Sequence, residues 1–152
     1  RFLRNNNYNG EQLSENLKQI LKLSKKEMRK ISFLHENRNL KFDNSVGSIR
    51  RFRVLLSEEQ KSAILEYHNN DDFKKKYRDM KEEINMQPIL DGIKISEITG
   101  IKPSRKLGLL KDWLFRIQIE KNISQKKEME EILQSINWDE PDFESWPKLL
   151  WP

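Results

Sequence analysis

Apolar residues recur along most of this chain at helical spacing, and polar breakers cut the recurrence into segments. Over residues 11–22, Leu13 is followed by Leu17, Ile20 and Leu21 at offsets of four, seven and eight, which predicts an amphipathic helix. The ten residues before it carry Asn5, Asn6, Asn7, Asn9 and Gly10, which favour turns, and read as a loop that follows the end of a helix. Ser24-Lys25-Lys26-Glu27 has the form of a capping box and starts a second helix to about Asn37, with Met28, Ile31 and Leu34 inward. Residues 37–44 are polar and asparagine-rich, a loop. Ser45 then opens a helix with Val46, Ile49, Phe52 and Leu56 inward. A second capping box, Ser57-Glu58-Glu59-Gln60, begins the next helix directly, carrying Ile64, Leu65 and Tyr67 to a stop at Asn69-Asn70. Asp71 or Asp72 caps a further helix with the stripe Phe73, Tyr77, Met80 and Ile84.

Residues 88–121 hold the densest local signals. Asp91 predicts an N-cap, Ile95 and Ile98 share a face, and Gly100 stands where a left-handed C-terminal cap favours a residue without a side chain. Pro103 prevents the short helix from continuing, and Ser104 caps a long one with Leu107, Leu110, Leu114 and Ile117 on one stripe. Asn122 ends that helix. Ser124 is expected to cap the last, whose stripe is Met129, Ile132, Leu133 and Ile136. Beyond Trp138 the pattern is lost: Asp139, Glu140, Asp142 and Glu144 alternate with aromatic residues among prolines. No regular element fits this tail, whose aromatics either fold back on the helices or meet a partner.

These elements predict an all-α fold, an elongated helical body over residues 1–87 and a helical tail domain over 88–138. An irregular aromatic and acidic segment follows at 139–152. The hydrophobic share of 36% against a charged share of 35% suits thin helices with wide solvated faces. With no cysteine, disulfides, thiol nucleophiles and cysteine-ligated metals are excluded. No apolar run approaches the ~20 residues of a membrane-spanning helix. Because the sequence opens on Arg1 rather than Met, an upstream segment is expected, and localisation is left open beyond an intracellular cytoplasm or organelle matrix.

A net charge of +5 favours an anionic partner, but 29 basic residues stand among 24 acidic ones, so clustering decides. Arg50, Arg51 and Arg53 form the densest cluster, on the outer surface of their helix. Their guanidinium groups suit forked hydrogen bonds to phosphate, or else pairing with carboxylates such as Glu58 and Glu59. Lys102, Arg105, Lys106 and Lys111 crowd the start of the long helix, against the preference of that positive end for anions. A helix N-terminus rich in cations suits a phosphate. Lys25, Lys26, Arg29 and Lys30 lie on a face that reads equally as solvated.

Several chemistries are excluded. Gly47-Ser48 is followed by Ile49-Arg50-Arg51 with no acidic pair to hold Mg²⁺ for nucleotidyl transfer. Asp71-Asp72 read as a helix cap. His35 and His68 lie in no metal-ligand spacing and are expected at the surface rather than as ligands. No Walker loop, dinucleotide turn or Ser-His-Asp constellation is present. Catalysis is not expected from these residues.

Leu90-Asp91-Gly92, the run from Ile95 to Pro103 reading Ile-Ser-Glu-Ile-Thr-Gly-Ile-Lys-Pro, and Leu107-Gly108 resemble a signature of the class II tRNA nucleotidyltransferase and poly(A) polymerase family. The likeness runs through Trp113-Leu114-Phe115 to Glu128, Ile132 and Trp138, and Leu21 to Glu27 is similar to the family's body region. It departs at Ser104-Arg105, where the family has Gly-Pro, which adds a charge. The Glu-Asp-x-x-Arg motif of the family's nucleotide-reading neck is absent.

The resemblance implies the body and tail of an enzyme that adds CCA to tRNA 3′ ends, with a catalytic head N-terminal to this region or in a separate chain. Mg²⁺ and CTP or ATP belong to that head, no cofactor belongs to this chain, and the tail grips the elbow of the tRNA. The expected partner is tRNA or another structured RNA, with no membrane. A different reading is a stand-alone, non-catalytic helical module, RNA-binding or structural, in a ribonucleoprotein. A helix-turn-helix DNA binder over residues 91–121 has little support, since the second helix has no Asn or Gln near its start to read adenine.

Overall fold

The computed structural model describes residues 9–152 and is all-helical over them. Its α-helices are α1 (Gly10–Leu21), α2 (Lys25–Glu36), α3 (Val46–Leu55), α4 (Glu58–Tyr67), α5 (Asp71–Asp79), α6 (Gly92–Thr99), α7 (Arg105–Lys121) and α8 (Lys126–Ser135), followed by one 3₁₀ turn, Phe143–Ser145. The reading of residues 1–8 as a loop lies outside the described residues.

Short polar side chains decide where most of these helices start. Ser24 and Ser57 make both hydrogen bonds of the expected capping boxes. Asn9, read as part of a loop, closes a third box with Gln12 and starts α1. The cap before α5 is Asn70 rather than an aspartate: its Oδ1 accepts from Phe73 N at 3.1 Å. Helix α5 stops at Asp79, leaving Met80 and Ile84 outside the expected stripe. The carbonyls of Met80 and Glu82 instead accept from Arg53 Nη1 at 3.3 and 3.0 Å, which takes them out of a helical ladder. Ser124 does not cap α8; Gln125 holds that position without a side-chain bond.

The helices gather into two units that interleave in sequence. One holds residues up to Asn44 with Leu56–Asp79; the other holds Ser45–Leu55 with Met80–Trp151. A break at Pro88 would have left α3 with the N-terminal helices, whereas α3 packs on α7.

In the first unit, Leu13, Leu34, Ala63, Ile64 and Phe73 are buried. Phe42 meets Phe73 and His68 edge-on, with ring centroids 5.0 and 5.2 Å apart. His35 differs from the expected surface position, being fully buried, while His68 is half-buried with its Nε2 2.9 Å from the Asn37 carbonyl. The approach of α1 to α2 is close enough that Gly10 N donates to Glu36 Oε1, and a methyl group at Gly10 would collide with the Ser32 carbonyl. The stripe of α1 is only half used, since Leu13 is buried while Ile20 and Leu21 are exposed.

The second unit buries Leu90, Ile95, Leu107, Leu110, Leu114, Ile123, Met129, Leu133 and Trp146 in one cluster. Each aliphatic side chain fully buried contributes about 1.5–3 kcal/mol. Helix α3 adds Ile49 and Phe52, while Val46, expected inward, is exposed. The tail folds back on its own unit: Trp146 packs against Trp113 with centroids 5.3 Å apart, and Trp151 meets Phe52 at 4.8 Å.

Candidate nucleic-acid interface

The turn from α6 to α7 is fixed by bonds that its sequence foreshadows. Asp91 Oδ1 accepts from Lys94 N at 2.8 Å to start α6. Gly100 ends it in the left-handed region, with φ 75° and its N–H bonded to the Ser96 carbonyl. Ser96 Oγ then donates to the Ile101 carbonyl at 2.6 Å, and Ser104 Oγ accepts from Leu107 N at 3.3 Å to start α7. With Ile95, Leu107 and Leu110 buried beneath it, the turn holds its cations on a packed support. Lys102 and Arg105 are exposed, and Lys106 and Lys111 are half-buried.

Arg105 has a partner that the sequence reading left unnamed. Its Nε and Nη2 donate to the two carboxylate oxygens of Glu144 at 2.5 and 2.9 Å, the forked geometry that a phosphate also accepts. The Glu144 carboxyl is lowered from its ordinary pKa, mainly by that hydrogen bond, and Arg105 is raised by the same bond. Both side chains stay largely in water, at 69% and 53% exposure. Distance along the chain, 39 residues, hid the pair from spacing arguments.

Arg50, Arg51 and Arg53 lie otherwise than on an outer surface, and their carboxylates are not Glu58 and Glu59. Arg50 donates from Nε and Nη2 to the two oxygens of Glu82 at 2.8 and 2.9 Å, and from Nη1 to the Glu120 carbonyl at 2.6 Å. Arg51 is buried, its Nε 2.9 Å from Glu120 Oε1 as an ion pair rather than an aligned hydrogen bond, its Nη1 bonded to the Leu150 carbonyl. Arg53 bonds the carbonyls of Met80 and Glu82. The hydrogen bond from Arg50, above all, holds the Glu82 carboxyl below its ordinary pKa, against a smaller opposing effect of burial. In this arrangement the three guanidinium groups tie α3 to residues 80–82, to α7 and to the tail; a phosphate would have to break those bonds to reach them. Arg116 extends the same set, bonding Glu120 Oε1 at 2.8 Å and the Lys148 carbonyl at 2.7 Å. Gln118, also missed, is buried and clamps the start of the signature: its Oε1 accepts from Ile89 N and its Nε2 donates to the Gln87 carbonyl, both at 2.9 Å.

The first unit carries an open groove of about 720 Å³ over Phe33 and Ala63, where Lys26, Arg29 and Lys30 face Glu58 and Glu59. Lys26 lies 3.6 Å from Glu59, and Lys30 lies 3.1 Å from Glu66, so its charges are balanced within the unit. Among the described residues no group of three or more His, Asp or Glu could hold a metal ion, and no helix is long and apolar enough to cross a membrane. No family model, curated protein or solved structure matches the chain.

Proposed function

We propose that this chain is the RNA-binding C-terminal part of a tRNA nucleotidyltransferase, holding tRNA while a catalytic head outside these residues adds the nucleotides. The observation that supports the reading most is the conformation of the signature run. Asp91 and Gly100 cap α6 as their positions in that run require, Ser104, where the run departs from the family, caps α7, and Lys102, Arg105 and Lys106 stand around the start of α7. Lysines and arginines on a rigid turn attract phosphates by charge and by counterion release, and carry no base code. Structured RNA is recognised in this way, by backbone and shape. In the proposal Lys102, Arg105, Lys106 and Lys111 make the RNA contact, and Arg50, Arg51 and Arg53 act through the framework that carries them. Chemistry with Mg²⁺ and CTP or ATP is the head's.

Titrating the chain with tRNA and with a single-stranded RNA of equal length tests the reading. The expected result is tRNA binding that weakens steeply with salt and exceeds binding of the unstructured RNA. Equal binding of the two, or none at low salt, would overturn it.

A further inference from the structure

We infer that Glu144 is a built-in competitor for the RNA phosphate, a carboxylate that occupies the Arg105 guanidinium until RNA displaces it. The inference rests on the RNA-binding reading and adds a regulatory contact to it. Glu144 meets Arg105 through both oxygens, at 2.5 and 2.9 Å, in the geometry by which arginine takes a phosphate. It therefore blocks the fork rather than lying beside it.

The carboxylate is delivered by a fixed support. Glu144 sits in the 3₁₀ turn between Phe143 and Trp146; Trp146 is buried against Trp113, and the Phe143 and Trp146 rings are 6.1 Å apart. Lys148 Nζ, 4.0 Å from Glu144 Oε2 and bonded to the Glu144 carbonyl at 2.7 Å, also holds the turn. The pair itself is open to water, and an exposed ion pair is easily exchanged. A polyanion presenting several phosphates to Lys102, Arg105 and Lys106 outcompetes a single carboxylate. The contrast is Arg51, itself buried where it meets Glu120, a contact that cannot be exchanged without exposing the framework.

A displaced carboxylate also changes the ion count. In the wild type, a phosphate arriving at Arg105 frees Glu144, which takes up a cation, so that contact releases no net counterion. With Glu144→Gln the same contact releases one. The test is tRNA titration of the wild type, Glu144→Gln, Asp142→Asn, Arg105→Ala and Arg105→Ala/Glu144→Gln at several salt concentrations. Asp142→Asn removes one charge from the same tail without touching Arg105.

We expect Glu144→Gln to bind tRNA about threefold to fivefold more tightly at low salt and to steepen the salt slope by about one. Asp142→Asn should gain less, and the gain of Glu144→Gln should vanish without Arg105. A gain equal to that of Asp142→Asn, or one that survives loss of Arg105, would reduce the effect to net charge and overturn the competitor while RNA binding stood. Weaker binding by Glu144→Gln would make Glu144 a support of Arg105 and overturn it likewise. If neither wild type nor Glu144→Gln bound tRNA at low salt, the RNA reading would fall and the competitor with it.

Discussion

Arg51 and Arg105 carry the same guanidinium group, meet a glutamate within the same unit, and live in opposite circumstances. The Arg51 side chain is 6% exposed and ties Glu120 to a tail carbonyl; the Arg105 side chain is 69% exposed and meets only a surface glutamate. A guanidinium taken out of water depends on its partners, because removing them leaves it buried and unpaired. Two charges left in water gain little by pairing, because water and salt screen them. The first arrangement is a structural tie. The second leaves a cation available for exchange, which is why the candidate interface centres on the start of α7.

The largest effect that would break this contrast is on stability. Arg51→Ala should cost about 2 kcal/mol, since it leaves the Leu150 carbonyl without its donor and Glu120 with Arg116 alone. All four tryptophans lie in the Met80–Trp151 segment, so urea unfolding followed by tryptophan fluorescence reads this unit. A loss below ~1 kcal/mol would put Arg51 among the exchangeable cations. In the same assay, Arg105→Ala should leave the urea midpoint close to wild type.

A smaller effect sharpens the comparison through pH. The Glu82 carboxyl is held below its ordinary value of 4.5, first by the hydrogen bond from Arg50. A carboxylate with a folded-state pKa below its unfolded one adds stability that is fully present above the unfolded value. The increment is lost as pH falls through the folded value. The difference in urea midpoint between wild type and Glu82→Gln should therefore be constant above about pH 5 and shrink below 4.5. A difference that persisted undiminished into acid would mean that the Glu82 charge contributes nothing.

What was legible in the sequence was local. Ser24, Ser57, Asp91, Gly100 and Ser104 act on backbone groups within a few residues, so their roles follow from spacing, and they fall where expected. Asn70 shows the limit of that logic: three consecutive polar residues competed for one cap, and only the backbone geometry selects among them. The pairings of the arginines were hidden for a different reason. Arg50 reaches 32 residues to Glu82 and Arg51 reaches 99 to the Leu150 carbonyl. A cluster of three arginines reads the same whether it faces water or a neighbouring helix, and only the packing of α3 on α7 decides. Exposure of Ile20 and Leu21 has the same origin, since a helical stripe shows which face is apolar and not how much of it finds a partner.

The central claim, that the cations around the start of α7 take the RNA backbone while the α3 arginines support the fold, is tested most directly by one titration. The triple variant Lys102→Ala, Arg105→Ala, Lys106→Ala is compared with wild type for tRNA affinity at several salt concentrations. Each of the two lost lysine contacts reduces the slope of log affinity against log salt by somewhat less than one, while the Arg105 contact, which displaces Glu144, adds no net release. The account predicts a tRNA affinity at least tenfold lower, a slope flattened by about two, and a urea midpoint close to wild type. Unchanged affinity and slope in a fully folded triple variant would contradict it.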